Sequence, residues 1–288
     1  MNTQRIKVLL AAIDNGSLTR AGQIYGYTQS AVTQMMHAME EETGFPLLIK
    51  NNKGVEPTQE ARMLMPLMRQ ILNLEEKLEQ EKAEILGMHK GTVRVGSFVS
   101  TSISWLPQVL EYFQQNYPDV EFRIEELGHD EMIERLNDGS LDIALMSDPG
   151  SSSIEFIPVL EDPMMVVFTD KYDLSSYDYV PVDVLRDYPF IMTYREYDSD
   201  PHYVFEKAGF MPEVRYYSRD DSAVLSMVQK GLGLAILPEM TLEEVPGRYE
   251  SRMLDPEAYR TLGIGIKSMK EAGPLTRAVI KYIKDNIR

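Results

Sequence analysis

The sequence predicts a mixed α/β chain: an N-terminal all-α winged helix-turn-helix unit, then a two-lobed α/β body with mainly parallel sheets. Three observations carry this prediction. Short amphipathic helical patterns separated by Gly-containing turns fill residues 2–46 and lead into a basic hairpin. One long helical pattern covers about 58–86. Beyond it, strand patterns alternate with helical ones as far as the last residues.

The first helix starts at an Asn2/Thr3 cap, carries Ile6, Leu9, Leu10 and Ile13 on one stripe, and stops at Asn15-Gly16. Ser17 caps a second helix through Leu18, Ala21 and Ile24, which ends at Gly26. Thr28 caps a third, whose inner face is Val32, Met35, Met36 and Met39 at i, i+3, i+4 and i+7. Its opposite face is Gln29, Ser30, Thr33, Gln34 and His37, rich in groups that both donate and accept hydrogen bonds. Such a face can read base edges in a DNA groove and bond to phosphates. Gly44-Phe45-Pro46 ends this helix, and residues 47–55 form a strand, a turn and a strand. Lys50 and Lys53 flank the tip at Asn51-Asn52, which makes a wing suited to the phosphate backbone. Residues 1–58 are therefore the candidate double-stranded DNA-binding domain, with Ser17 and Arg20 of the second helix beside its recognition face.

Residues 59–90 form a linker helix and hinge. The segment from Thr58 to about Leu86 would span roughly 43 Å as a helix. Leu67, Ile71, Leu74, Leu78 and Ile85 recur at coiled-coil spacing, interrupted by Glu81. The seam fits a homodimer contact; the alternative is a helix packed on its own C-terminal body. Pro66 is expected to kink the first turns or to mark a joint. Gly87, His89, Lys90 and Gly91 then supply the hinge.

Residues 91–288 hold repeated βαβ units, hence mainly parallel sheets covered by helices. Two lobes follow, about 91–161 with 265–288, and about 162–264, joined near Ser147–Pro163 and again near Arg260. Ligands bind beyond the carboxyl ends of parallel strands. After the first strand come Ser97, Val99, Ser100, Thr101 and Ser102, a hydroxyl-rich loop that either contacts a ligand or simply caps a helix. Gly128 and Ser147 end the next strands and face the same cleft. In the second lobe Thr193, Tyr194, Arg195, Glu196 and Tyr197 leave a strand and enter a helix.

Net charge sharpens the division. The chain carries −16, yet residues 1–90 hold 10 Lys/Arg and 11 Asp/Glu, against 19 and 34 in residues 91–288. Phosphate neutralisation by the whole chain is therefore excluded; the acidic body is held away from the duplex while Arg5, Lys7, Arg20, Lys50, Lys53 and Arg62 act locally. A modest salt dependence of DNA binding is expected. With no cysteine, disulfides, thiolate metal sites and cysteine nucleophiles are excluded. No apolar run reaches membrane-spanning length and no secretory signal opens the chain, so a soluble cytoplasmic protein is expected.

The runs 16–21, 28–33 and 38–44, with Leu47-Leu48 and the stretch Pro57–Ala61, resemble the N-terminal signature of LysR-type transcriptional regulators. Gly96, Leu106-Pro107, Pro118-Asp119-Val120, Gly128, Gly139, Gly231, Gly233 and Leu237-Pro238 resemble landmarks of that family's effector domain, so the similarity spans 3–288. The resemblance implies a periplasmic-binding-protein-like effector domain that senses a small molecule. It also implies dimers through the linker helix, often tetramers, an interrupted inverted-repeat operator, and RNA polymerase as a further candidate partner. Two departures stand out. The family carries arginines where this helix has Gln34 and His37. Its stretch after residue 193 is smaller and richer in Ser and Gly, whereas the bulky acidic one here is expected to favour an effector bearing a hydroxyl or cationic group.

Catalytic and cofactor chemistry lacks its motifs. His37, His89, His129 and His202 are scattered without metal-ligand spacing. There is no Gly-x-Ser-x-Gly elbow, and Gly231-x-Gly233 precedes a strand rather than a helix. No catalytic residue, metal or cofactor is expected. The rival is a small-molecule-binding module whose N-terminal helices only dimerise it.

Overall fold

The computed structural model describes residues 2–51, 54–87, 89–150, 153–193 and 200–287. Helices α1 (Thr3–Asp14), α2 (Leu18–Tyr25) and α3 (Gln29–Thr43) precede a hairpin of β1 (Leu48–Asn51) and β2 (Gly54–Pro57). The side-chain oxygens of Asn2, Ser17 and Thr28 accept from the amides of Arg5, Arg20 and Ala31, so each helix begins at its predicted cap. Leu9, Ala21, Val32, Met36 and Met39 pack with Leu47, Val55 and Ala61 into one core. Ile24, expected inside, is 52% exposed. It lies roughly 120° around α2 from the buried Leu18, and Gly22 takes the inner position instead.

The long helix α4 (Gln59–Ile85) runs unbroken through Pro66. The body then contains β3 (Gly91–Ser97), α5 (Val99–Ser104), α6 (Leu106–Asn116), β4 (Val120–Glu126), α7 (His129–Asp138), β5 (Ile143–Ser147) and β6 (Glu155–Phe168). It continues with β7 (Tyr179–Pro181), a 3-10 turn (Val182–Asp187), β8 (Pro189–Thr193), α8 (Asp200–Ala208), β9 (Glu213–Ser218) and α9 (Asp221–Gln229). The last elements are β10 (Ala235–Pro238), α10 (Glu239–Glu244), β11 (Glu250–Asp255), β12 (Tyr259–Ile266) and α11 (Pro274–Asn286).

In the first lobe the strand order is β4-β3-β5-β12-β6, with β3 parallel to both β4 and β5. In the second, β6 lies between β10 and β11, β7 runs parallel to β11, and β8 parallel to β9. A parallel bridge from Phe190 to Leu234 brings β8 beside β10. β6 runs from the first lobe into the second, and β12 pairs antiparallel with its first half, with a register shift at Leu262/Gly263, so the two expected connections lie side by side. The prolines and acids of 155–163 hide that strand from a hydrophobic pattern. They are tolerated because, among the described residues, this half of β6 pairs with β12 alone. In the second lobe, Met164, Val166 and Phe168 face one core while Met165 and Val167 face another, the alternation of a strand covered on both sides.

Candidate nucleic-acid interface and ligand cleft

On α3, Gln29, Ser30, Gln34 and His37 are exposed, and the side-chain amides of Gln29 and Gln34 have no hydrogen-bond partner among the described residues. Thr33 turns back, its hydroxyl donating to the Gln29 carbonyl at 2.9 Å. The Thr28 and Ser30 hydroxyls lie 3.0 Å apart at the helix start. Beside this face Arg20 is exposed, while Ser17 is committed to capping α2. Glu40, at the far end of α3, accepts from the amides of Leu47 and Leu48 at 2.9 and 3.3 Å. These bonds tie the end of α3 to the start of the hairpin. Lys50 is exposed on β1, and the Asn51 amide donates to Glu56 at 2.8 Å. Asn52 and Lys53 lie outside the described residues. Two cations expected to serve DNA are engaged elsewhere: Arg5 is 3.8 Å from Glu42, and Lys7 is 2.7 Å from Glu75.

The wing is fixed by a close approach. Gly54 has φ +132°, and a β-carbon there would collide with the Gly16 carbonyl, which accepts the Val55 amide at 3.0 Å. Gly54→Ala is expected to cost about 1–3 kcal/mol of head stability. Thermal unfolding of the variant checks it, and an unchanged midpoint would show that the wing does not rest on this turn.

The polar side of α4 packs on the body of its own chain. Asn73 donates to the Gly139 carbonyl at 2.7 Å, Glu76 pairs with Arg94, and Gln80 is buried. Arg94 also holds Asp142, whose carboxyl burial raises above its ordinary range while the guanidinium pulls it down. On the head side, hydrogen bonds from Lys7 and Thr3 hold the Glu75 carboxyl below its usual value of 4.5. That contact contributes fully above pH 4.5 and fades as pH falls through the lowered value. Leu67, Ile71, Leu74 and Leu78 remain exposed on the other side.

In the body, Ser97, Ser147 and Thr193 end parallel strands, and Gly128 starts α7 just after another. Ser97 and Thr101 are fully buried, their hydroxyls 2.8 Å apart and bonded to main-chain carbonyls, so they shape the loop from within. Val99 is exposed and Ser102 half-buried, its hydroxyl without a partner among the described residues. Thr193 donates to Asp221 at 3.0 Å. Tyr194, Arg195, Glu196 and Tyr197 lie outside the described residues.

Two features escaped the sequence. His129, directly after Gly128, buries an Nδ1 that has no hydrogen-bond partner among the described residues and stands 3.8 Å from an Asp130 oxygen. Arg260 and Asp162 form an ion pair at 2.7 Å, each side chain only 3% exposed. The pair also reaches Ser100 of α5 (Arg260 Nη2 to Oγ, 3.2 Å) and the Met240 amide of α10 (3.1 Å), so it ties both lobes at their crossing strands. Their separation of 98 residues left no local signal.

Head and body together define a winged-helix DNA-binding protein joined by a long helix to a two-lobed ligand domain. Residues 3–62 match the family model described as "Bacterial regulatory helix-turn-helix protein, lysR family", and residues 87–288 match "LysR substrate binding domain". The chain belongs to the LysR family of DNA-binding transcriptional regulators, with an effector-binding domain. It is 30% identical over 288 residues to the Bacillus subtilis (strain 168) "Uncharacterized HTH-type transcriptional regulator YvbU", covering 99% of this chain and 98% of that one. A full-length OxyR variant from Pseudomonas aeruginosa superposes with a TM-score of 0.77 at 17% identity, covering 100% of this chain and 95% of that one. Full-length CbnR complexed with its target DNA gives 0.68 at 18%, covering 99% of each.

Proposed function

We propose that the chain acts as a homodimer through α4, assembling further to a tetramer, and reads an inverted-repeat operator by placing α3 in the major groove. In this reading α3 supplies Gln29, Ser30, Gln34 and His37 to base edges, while Lys50 of the wing and Arg20 hold phosphates. The observation that carries it is the pair of exposed, unpartnered amides on α3, on a helix bonded through Glu40 to the wing strand. The CbnR–DNA complex, which has the same fold, supports the DNA partner.

The effector is a small molecule held between the lobes near Ser100, Ser102, Gly128, Ser147 and Thr193. Its binding shifts lobe closure and so the spacing of paired heads. We assign the chain no catalytic step, since its relative is named as a transcriptional regulator. RNA polymerase is a further partner and the cytoplasm its place of work. No helix among the described residues is long and apolar enough to cross a membrane.

Gln29→Ala and Gln34→Ala are each expected to lose about 1–3 kcal/mol of discrimination between operator and random duplex. Lys50→Ala should weaken both by a similar factor and flatten the salt slope by about one. Quantitative mobility shifts on the two duplexes at several salt concentrations decide it. Equal losses on both duplexes from all three substitutions would overturn the division of roles.

A further inference from the structure

A cavity of about 470 Å³ lies between α4 and the first lobe, away from the interlobe cleft. One wall is Gln70, Asn73 and Lys77 of α4; the other is the segment Lys267–Gly273 with the start of α11. The cleft residues Ser97 and Ser147 end the parallel strands, whereas Ile266 and Asp142 line this cavity at the opposite edge of the same sheet. A seven-residue strand separates the two edges by roughly 20 Å. Volumes of this size suit small ligands.

The walls are held in place. Asn73 bonds to Gly139, where a β-carbon would collide with its amide, and a β-carbon on Gly273 would meet Gln80 Oε1 at 2.8 Å. α4 is therefore seated on bare backbone at both ends of the cavity. The charges are arranged unevenly. Glu76 and Asp142 both face Arg94 on the floor. Lys77, Lys267 and Lys270 stand along the rim with weak engagements: Lys77 is 3.4 Å from the Glu271 carbonyl, and Lys267 is 3.9 Å from the exposed Glu271 carboxylate. The Lys270 ammonium makes no hydrogen bond or ion pair among the described residues. The N-terminus of α11 opens here through Gly273 with no side-chain cap and no acidic residue in its first turn. In a chain of net charge −16 this is a local reversal of sign.

We propose that this cavity is a second ligand site, taking a small multiply charged anion that bridges α4 and the first lobe. The recognised chemistry is a carboxylate- or phosphate-bearing group among the three ammonium groups. Because one wall belongs to the linker helix, the bound anion locks the head-bearing helix to the sensor body. It acts without passing through the interlobe cleft, and the site stands whether or not the cleft takes an effector.

The test is calorimetric titration of the full chain with citrate and with inorganic phosphate, as separate arms, combined with hydrogen exchange. At least one probe is expected to bind, with slowed exchange in 70–80 and 267–276. Lys267→Gln with Lys270→Gln, and separately Lys77→Gln, should weaken that probe by on the order of tenfold. Ser100→Ala and Ser102→Ala should leave it unchanged. The lysines make no strong contact inside the fold, so the unfolding midpoints should stay at the wild-type value. Binding by neither probe, undiminished binding in both lysine variants, or protection confined to 97–102 and 128–129 would each overturn the proposal. Citrate alone binding would assign a carboxylate ligand, and phosphate alone a phosphorylated one.

Discussion

Replacing Arg260 with methionine is expected to destabilise the chain by about 3–5 kcal/mol, because it strands the Asp162 carboxylate in the interior. Asp162 is 3% exposed and takes two bonds from the guanidinium, at 2.7 and 2.8 Å. Its remaining oxygen accepts the Met240 amide, which is too weak a donor to carry a whole buried charge alone. The pair sits in register across β6 and β12 at Arg260–Asp162, where β6 passes from the first lobe toward the second. Its loss also releases the Ser100 hydroxyl, while the Met240 amide of α10 keeps its bond to Asp162. Asp162→Asn added to Arg260→Met removes the charge and keeps an acceptor for Met240. The double variant should recover most of the loss, since buried ion pairs contribute little net stability against well-packed neutral replacements. Denaturant titration of wild type, single and double variants measures this. A single-variant loss under about 1 kcal/mol would mean that the carboxylate finds water and the crossing is open.

The same pair shows which parts of the molecule were legible beforehand. Helix caps are local chemistry, so Asn2, Ser17 and Thr28 were found at their positions from residue type and the following pattern. The parallel strands β3, β5 and β8 end at Ser97, Ser147 and Thr193, where strand ends were expected. β11 was not expected, because in Glu250–Asp255 only Met253 and Leu254 are apolar. The first half of β6 was missed for its prolines and acids. Among candidate cleft residues, type and position along the strand gave Ser97 and Thr101, but a hydroxyl's direction depends on what packs around it. Those two point inward to each other, whereas the Ser102 hydroxyl has no partner among the described residues. Long-range pairs such as Arg260 with Asp162, or Arg94 with Glu76, leave no trace in a single sequence. Residue 260 was recognisable only as the place where the chain recrosses between lobes.

Ile71→Glu combined with Leu78→Glu is expected to give a monomer whose operator affinity falls by about 10²–10⁴-fold, the contribution of holding two heads at fixed spacing. α4 divides its circumference between two tasks. Asn73, Glu76 and Gln80 meet the body of the same chain, while Ile71 and Leu78, seven residues apart, stay 44% and 59% exposed. The face that packs on its own chain is polar and the apolar seam stays exposed, which supports the proposed dimer contact over self-packing of that seam. Burying each of these side chains contributes about 1.5–3 kcal/mol, so four per dimer amount to roughly 6–12 kcal/mol before any charge is placed in the seam. A glutamate at either position must also lose its hydration to pair, which moves the balance further toward separate chains. The monomer itself should unfold as before, because neither residue is part of the buried core of its own chain. Sedimentation velocity reads the assembly and a mobility shift reads the affinity. A double variant that stays dimeric and binds its operator undiminished would place the dimer contact on another surface, and with it the lever by which lobe closure moves the heads.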